Sequence, residues 1–162
     1  MSSAVVSEPV AKPKITVTTE DVVKNASDDE VLYLLRGSRM VSAAKMKEKG
    51  CARGDVADAN CGRPTEQEAT SQVGGSKAGE SLTEHKKFPE FTTSMFWAQS
   101  YATDCIVLVA IQKKYLTKGS GSEDGWICYD AAPCKLMGSQ PYKPDVAKSL
   151  VNSKTGKKMI AD

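Results

Sequence analysis

Hydrophobic residues are most concentrated between positions 88 and 118, and polar residues dominate the chain on either side. Within this stretch, a pair of threonines and a run of lysines that ends at Gly119 are typical of the start and the end of a helix. Residues 105–111 would be apolar on every side of that helix, so they require enclosure by protein or lipid. The pattern therefore predicts one long apolar helix over about residues 92–116.

The same stretch also carries a signal for β-structure. Residues 105–111 are rich in β-branched side chains, and a second apolar run, GWICYDA, follows a turn rich in glycine and serine. The alternative is therefore an α+β chain with a β-hairpin over residues 105–131. The helix is preferred because its end signals are good and the element is long.

A second helical pattern precedes the apolar stretch. Ser27 and Glu30 match a capping box, and the apolar residues after them would share one helical face. Strong helix formers then continue as far as Gly50, a typical C-terminal cap. These signals predict an N-terminal helical segment over about residues 28–49.

The rest of the sequence divides the chain into five segments. A proline-containing extended arm occupies residues 1–17, and the helical segment lies within residues 18–50. A cysteine-bounded loop and a polar linker follow over 51–87, and the long apolar helix lies in 88–118. A loop-rich C-terminal region covers 119–162. We therefore expect a mainly α, extended and non-compact chain with irregular arms.

The composition supports the expectation of an incomplete core. Of the 162 residues, 40% are hydrophobic and only 6% are aromatic. This apolar content is lean for a compact globule, so we expect the chain to gain its order mainly from neighbouring subunits. The net charge is only +2, and no concentrated basic surface is evident, so nucleic acid is excluded as a partner.

The five cysteines are too few for a dense disulfide framework. Cys105 lies on the apolar side of the predicted helix and is interpreted as a small core residue. The other four cysteines are spaced too loosely for a structural zinc site, so we expect no metal. They are the candidates for one or two disulfides: Cys51, Cys61, Cys128 and Cys134.

The tripeptide Arg53–Asp55 lies between Cys51 and Cys61 and resembles the recognition loop of snake-venom disintegrins. In those proteins an exposed arginine and aspartate bridge the integrin subunits, so the resemblance implies an adhesion ligand. The spacing of the two cysteines is also similar to that of the twin-cysteine helical hairpins of the mitochondrial intermembrane space. Those proteins carry a second pair of the same spacing, whereas Cys128 and Cys134 lie closer together.

The sequence contains no catalytic motif and no cofactor-binding motif, so we expect a protein that is not an enzyme. The single histidine, His85, lies in a polar run, and a histidine-dependent triad would depend on it alone. Asp104 is interpreted as a carboxylate that caps or contacts a helix. Residues 119–125 are rich in glycine but lack the lysine of a phosphate-binding loop, so they are interpreted as a flexible turn.

These features favour a non-catalytic accessory or structural subunit that binds neighbouring subunits of a large multiprotein assembly. A membrane complex of an energy-transducing organelle, such as the mitochondrial inner membrane, fits best, with lipid contact through residues 95–111. The start of the chain has no pattern of a cleavable secretory signal. The alternatives are a soluble virion structural protein and an adhesion ligand. The candidates for partner contact are Trp97, Tyr101, Asp104, Ile106, Val109 and Trp126.

Overall fold

The computed structural model describes residues 15–74, 88–119 and 121–143. Within these ranges the chain forms one antiparallel sheet with short helices packed against it. The α-helices are α1 (Glu20–Asn25), α2 (Met40–Lys49), α3 (Glu66–Gly74) and α4 (Met95–Tyr101). The strands are β1 (Val31–Ser38), β2 (Glu90–Thr92), β3 (Cys105–Gln112), β4 (Thr117–Lys118), β5 (Gly125–Ile127) and β6 (Lys135–Pro141). A 3₁₀ turn, Lys113–Tyr115, comes directly after β3.

The strands of the sheet lie in the order β4-β5-β2-β1-β3-β6. The longest pairing joins β1 to β3, and it runs without interruption from Val31 opposite Gln112 to Ser38 opposite Cys105. The order differs from the order along the chain, because β2 and β3 lie on opposite sides of β1. The centre of the sheet is therefore built from segments that are far apart in sequence.

One face of the sheet carries the main core. Leu32 and Leu34 of β1 point to this face, together with Val107 and Val109 of β3, and all four are almost fully buried. Residues of α2 cover them from outside the sheet. Burial of each such aliphatic side chain stabilises the fold by about 1.5–3 kcal/mol. This face therefore supplies most of the apolar packing.

The opposite face is covered by α4. Leu35 of β1 and Ile106 of β3 point to this face and pack against Ala98 and Ala102 of the helix. Gly37 lies directly beneath α4, where a Cβ atom would collide with the helix backbone. The small residues on both sides therefore let α4 lie close to the end of β1, and this places its aromatic side chains beside β2.

The prediction of a mainly α, extended chain with a long apolar helix over residues 92–116 is wrong. Within it only Met95–Tyr101 is α-helical, and Cys105–Gln112 is a strand. This strand, β3, lies inside the sheet between β1 and β6 and is at least half-buried along its length. An interior strand encloses an all-apolar run as well as a buried helix does, and β-branched residues favour the strand. Among the described residues, no helix is long and apolar enough to cross a bilayer.

The prediction of a helix over residues 28–49 also fails in its first part, which forms β1. One hydrogen bond of the expected capping box is present, because the backbone N–H of Ser27 donates to the Glu30 carboxylate over 3.1 Å. The other is not, because the N–H of Glu30 donates to the backbone carbonyl oxygen of Ser27 and not to its hydroxyl. These two contacts close a turn that leads into a strand, because pairing with β3 outweighs the local preference. The helix α2 occupies only Met40–Lys49 and ends at Gly50, whose φ of 68° is left-handed.

The alternative hairpin over residues 105–131 is not formed either. Its two expected arms contain β3 and β5, but these strands do not pair with each other. β1 and β2 lie between them in the sheet. The polar stretch after Cys61 also contains a helix, α3, which begins with a capping box in which Thr65 and Glu68 exchange hydrogen bonds of 2.9 and 3.1 Å.

Candidate functional site

Three segments of the chain meet where β2 passes into α4. They contribute Glu90 from β2, Tyr101 from α4 and Glu123 from the turn before β5. We call these three residues the carboxylate site, and we call residues 121–124 the acidic turn. Antiparallel pairing of β2 with β5 brings the acidic turn beside the start of α4. The site therefore depends on the order of strands in the sheet.

The carboxylate of Glu90 lies over two glycines. A Cβ atom at Gly125 would collide with Oε2 of Glu90, and a Cβ atom at Gly119 would lie 2.7 Å from the same oxygen. The carboxylate therefore occupies space that side chains at these two positions would fill. Glu90 is half-buried, and the backbone beneath its carboxylate limits the positions that it can adopt.

Tyr101 connects α4 to the acidic turn. Its hydroxyl donates a hydrogen bond to Oε2 of Glu123 over 2.5 Å, a length typical of a hydroxyl bound to a carboxylate. Burial and this hydrogen bond raise the pKa of Tyr101, and the charge of Glu90 raises it further. The phenol is therefore a protonated donor at neutral pH, and it is bound to the carboxylate of Glu123.

Aromatic side chains of α4 extend the site along the surface. The rings of Trp97 and Tyr101 are stacked with centroids 6.2 Å apart, and Phe96 meets Trp97 edge-on at 5.0 Å. We call these three residues the aromatic row. Phe96 and Tyr101 are 49% and 52% exposed. The row offers an exposed surface next to two carboxylates on which a flat ring can stack.

The acidic turn is held against β2 by the threonine pair. The hydroxyl of Thr92 donates a hydrogen bond to the carbonyl oxygen of Glu123 over 2.8 Å. The backbone N–H of Thr93 donates to the carbonyl oxygen of Asp124 over 3.3 Å. Asp124 has a φ of 50° and is the one non-glycine residue of the described ranges with a positive φ. Such backbone conformations are uncommon and concentrate at functional sites.

Arg36 of β1 supports the site from the core face of the sheet. Its Nη1 donates a hydrogen bond of 3.0 Å to the carbonyl oxygen of Glu90. The guanidinium also lies 5.9 Å from the centre of the Phe91 ring. Burial lowers the pKa of Arg36, and the nearby charge of Arg53 lowers it further. Arg36 thus fixes the backbone of the residue that supplies one of the two carboxylates.

A second polar cluster holds α1 against the sheet. The Glu20 carboxylate accepts hydrogen bonds from Lys118 at 2.7 Å, from the Thr93 hydroxyl at 2.9 Å and from Nε1 of Trp126 at 3.1 Å. Partial burial opposes ionisation of Glu20, but these hydrogen bonds outweigh it and lower the pKa of the carboxyl. Because Thr93 also contacts the acidic turn, this cluster helps to position the site.

The disulfide candidates lie on two loops that pack together. Cys51 and Cys61 bound the first loop, and Cys128 and Cys134 bound the second. The N–H of Ala52 in the first loop donates a hydrogen bond to a backbone carbonyl oxygen of the second loop. All five thiols of the chain are free. Burial, with a contribution from nearby Cys51, raises the pKa of Cys134 to about 12. The pairing of these cysteines stays a prediction.

The described ranges contain no group of three or more histidine, cysteine or acidic side chains placed to hold a metal.

The six candidates for partner contact do not share one surface. Trp97 and Tyr101 belong to the aromatic row, whereas Ile106, Val109 and Trp126 are buried inside the fold. Contact with a partner through the exposed part of α4 stays a prediction.

Asp104 has a role at a helix end. Its Oδ1 accepts a hydrogen bond of 2.6 Å from the N–H of Met40, the first residue of α2. A carboxylate at this position satisfies a free backbone donor and interacts favourably with the helix dipole. The structure therefore agrees with the interpretation of Asp104 as a capping carboxylate.

The Arg-Gly-Asp tripeptide lies at the surface, but its arginine is engaged. Nε and Nη2 of Arg53 lie 3.0 and 2.9 Å from Oδ1 of Asp130. The backbone N–H of Arg53 also donates to the carbonyl oxygen of Asp130. An adhesion ligand needs an arginine that is available to the integrin, and this ion pair would have to open first. The adhesion role stays a prediction that this contact does not favour.

Sequence reasoning missed the carboxylate site because its residues lie in three separate segments. The interpretation of residues 119–125 as a flexible turn overlooked the two acidic residues between its glycines, Glu123 and Asp124, which are the local signal that the site offers. His85 lies outside the described residues.

No protein-family model and no curated protein matches this chain.

Proposed function

We propose that this protein is an enzyme that breaks the bond between a sugar and a flat, positively charged heteroaromatic base. The observation that carries the proposal is the hydrogen bond between Glu123 and Tyr101 of the exposed aromatic row, with the carboxylate of Glu90 lying against Gly125, two residues from Glu123. Glycosidases use a pair of carboxyl groups that flank the scissile bond, and an aromatic surface beside them can stack the base. The substrate class is therefore an N-glycoside, such as N-ribosylnicotinamide.

Charge favours a cationic base over a neutral one. Glu90, Glu123 and Asp124 are all acidic, and they lie on the two segments that flank the aromatic row. A positively charged pyridinium ring gains from these charges, and it also gains from stacking on the face of Trp97. A neutral base would gain only the stacking, so the site is better matched to the cation.

The two carboxylates have different roles in the proposed reaction. The bond from the anomeric carbon to the ring nitrogen breaks, and its electron pair stays on the nitrogen and neutralises the base. The anomeric carbon then carries positive charge, which Glu90 stabilises from its place over Gly125. A water molecule or another hydroxyl attacks that carbon and gives its proton to Glu123.

The proposal is tested by chromatographic measurement of nicotinamide released from N-ribosylnicotinamide by the full chain. We expect release by the wild-type protein and a loss of about 100-fold or more in Glu90→Gln and in Glu123→Gln. Glu66→Gln, which removes an exposed carboxylate of α3, is the matched control and should keep the wild-type rate. Circular dichroism checks that each variant is folded. Absence of release by the wild type, or equal rates in all variants, contradicts the proposal.

A non-catalytic accessory role in a large assembly is the second candidate function. The exposed apolar side chains of α4 favour it, because Met95 and Phe96 are 41% and 49% exposed. The sequence-based argument for this role was that the chain is extended and needs neighbouring subunits for its order. That argument no longer applies, because the fold has a core of its own. Native-gel migration from the source distinguishes the two candidates. Migration only within a much larger complex supports the accessory role, and a free band near 17.4 kDa opposes it.

A further inference from the structure

The acidic turn is held in place by contacts with the sheet and by the side chain of Tyr101 from α4. Its backbone accepts hydrogen bonds from Thr92 and Thr93, and the N–H of Gly119 donates to the carbonyl oxygen of Gly125 over 2.8 Å. These contacts join the turn to the sheet. The hydroxyl of Tyr101 makes the additional contact to Glu123, and it joins the turn to α4.

The Tyr101 contact differs from the others in its exposure to solvent. As whole residues, Tyr101 is 52% exposed and Thr92 is 8% exposed, so a ligand can reach the Tyr101 ring more easily than it can reach Thr92. The acidic turn also contains Asp124 in a left-handed conformation, with a φ of 50°. A non-glycine residue in this conformation is held there by its surroundings. The turn is therefore expected to change conformation when the Tyr101 contact is lost.

We infer that the hydrogen bond between Tyr101 and Glu123 is a latch that holds the acidic turn against α4 in the absence of ligand. While the bond is made, the hydroxyl occupies Oε2 of Glu123 and the phenol ring spans the space between α4 and the acidic turn. A ligand that stacks on the aromatic row displaces the hydroxyl and frees the carboxylate to accept a proton. This role of the latch rests on the proposed function, but its effect on the turn does not.

Hydrogen exchange in the ligand-free full chain tests the latch directly. The N–H of Thr93, which donates to the acidic turn, and the N–H of Gly119 report on opening of the turn. In Tyr101→Phe, which keeps the stacking and removes the hydroxyl, we expect both amides to exchange at least about threefold faster than in the wild type. The matched control is Tyr115→Phe, which removes a hydroxyl hydrogen bond to Ala59 elsewhere and should leave both rates unchanged.

The exchange rates and the release of nicotinamide separate the latch from the proposed reaction. Faster exchange in Tyr101→Phe supports the latch even if the wild type releases no nicotinamide, and in that case only the proposed reaction fails. Unchanged exchange in Tyr101→Phe overturns the latch even if release is normal. Where release occurs, the latch also predicts a lower KM for N-ribosylnicotinamide in Tyr101→Phe, because the ligand no longer has to displace the hydroxyl.

Discussion

The ammonium group of Lys113 donates a hydrogen bond to the carbonyl oxygen of Val23, at the C-terminal end of α1. The same group lies 3.3 and 3.5 Å from the carbonyl oxygens of Lys24 and Ala26. A lysine of the 3₁₀ turn after β3 therefore donates to carbonyl groups at the end of a helix that lies about 90 residues earlier in the chain. With Glu20 bound at the other end of the helix, α1 is attached to the sheet by both ends.

Replacement of Lys113 should destabilise the fold. Lys113→Ala leaves the last carbonyl groups of α1 without their buried donor, and we expect the free energy of unfolding to fall by about 2 kcal/mol. Urea denaturation followed by circular dichroism measures the change. Lys24→Ala removes an exposed lysine from the same helix end and should change the free energy of unfolding by less than about 0.5 kcal/mol. If Lys113→Ala lowers the free energy of unfolding no more than Lys24→Ala does, the ammonium group of Lys113 does not stabilise the end of α1.

Acid should weaken the attachment of α1 through Glu20. The pKa of Glu20 in the folded chain lies below its ordinary value of 4.5, so the unfolded chain binds a proton first as the pH falls. The stabilisation is complete above that ordinary value and is lost as the pH falls through the folded value. Between about pH 6 and pH 3, the wild type should lose more free energy of unfolding than Glu20→Gln does. Asp21→Asn, an exposed neighbour, serves as the control, and equal losses in the wild type and Glu20→Gln would refute this account.

The close approach of α4 to β1 depends on Gly37. A methyl group at this position would collide with the backbone of Ala98 and Ala102, which cannot move without a shift of the whole helix. We expect Gly37→Ala to lower the free energy of unfolding by about 2–4 kcal/mol. Gly138 in β6 has open space around the same position, so Gly138→Ala is the matched control and should change stability by less than about 0.5 kcal/mol. Thermal unfolding of the two variants side by side makes the comparison.

Local signals in the sequence were reliable where the responsible contacts are local. Gly50 ends α2 as expected, because a left-handed residue after a helix is encoded within one turn of chain. The hydrogen bond from the Ser27 N–H to the Glu30 carboxylate also forms, but it does not determine the structure of the next segment. Whether residues 31–38 become helix or strand depends on β3, about 70 residues later in the chain. Local propensity does not contain that information.

The carboxylate site was beyond sequence reasoning for the same reason. Glu90 lies beside the glycines that flank the acidic turn because β2 pairs with β5, and Glu123 reaches the phenol of Tyr101 because α4 packs over β1. Nothing in the spacing of these residues along the chain predicts that β2 and β3 flank β1 on opposite sides. In the sequence, the glycines that make room for the Glu90 carboxylate were interpreted as part of a flexible turn. The residue for which they leave space lies on another strand, so the local sequence does not reveal this role.

The most direct test of the proposed site uses the two tryptophans of the chain. The indole N–H of Trp97 lies in the aromatic row, whereas that of Trp126 is bound to Glu20 in the second polar cluster. Titration of the ¹⁵N-labelled full chain with N-ribosylnicotinamide should shift the Trp97 indole signal in a saturable manner and leave the Trp126 signal in place. A Trp97 signal that stays unshifted at high ligand concentration would contradict the account.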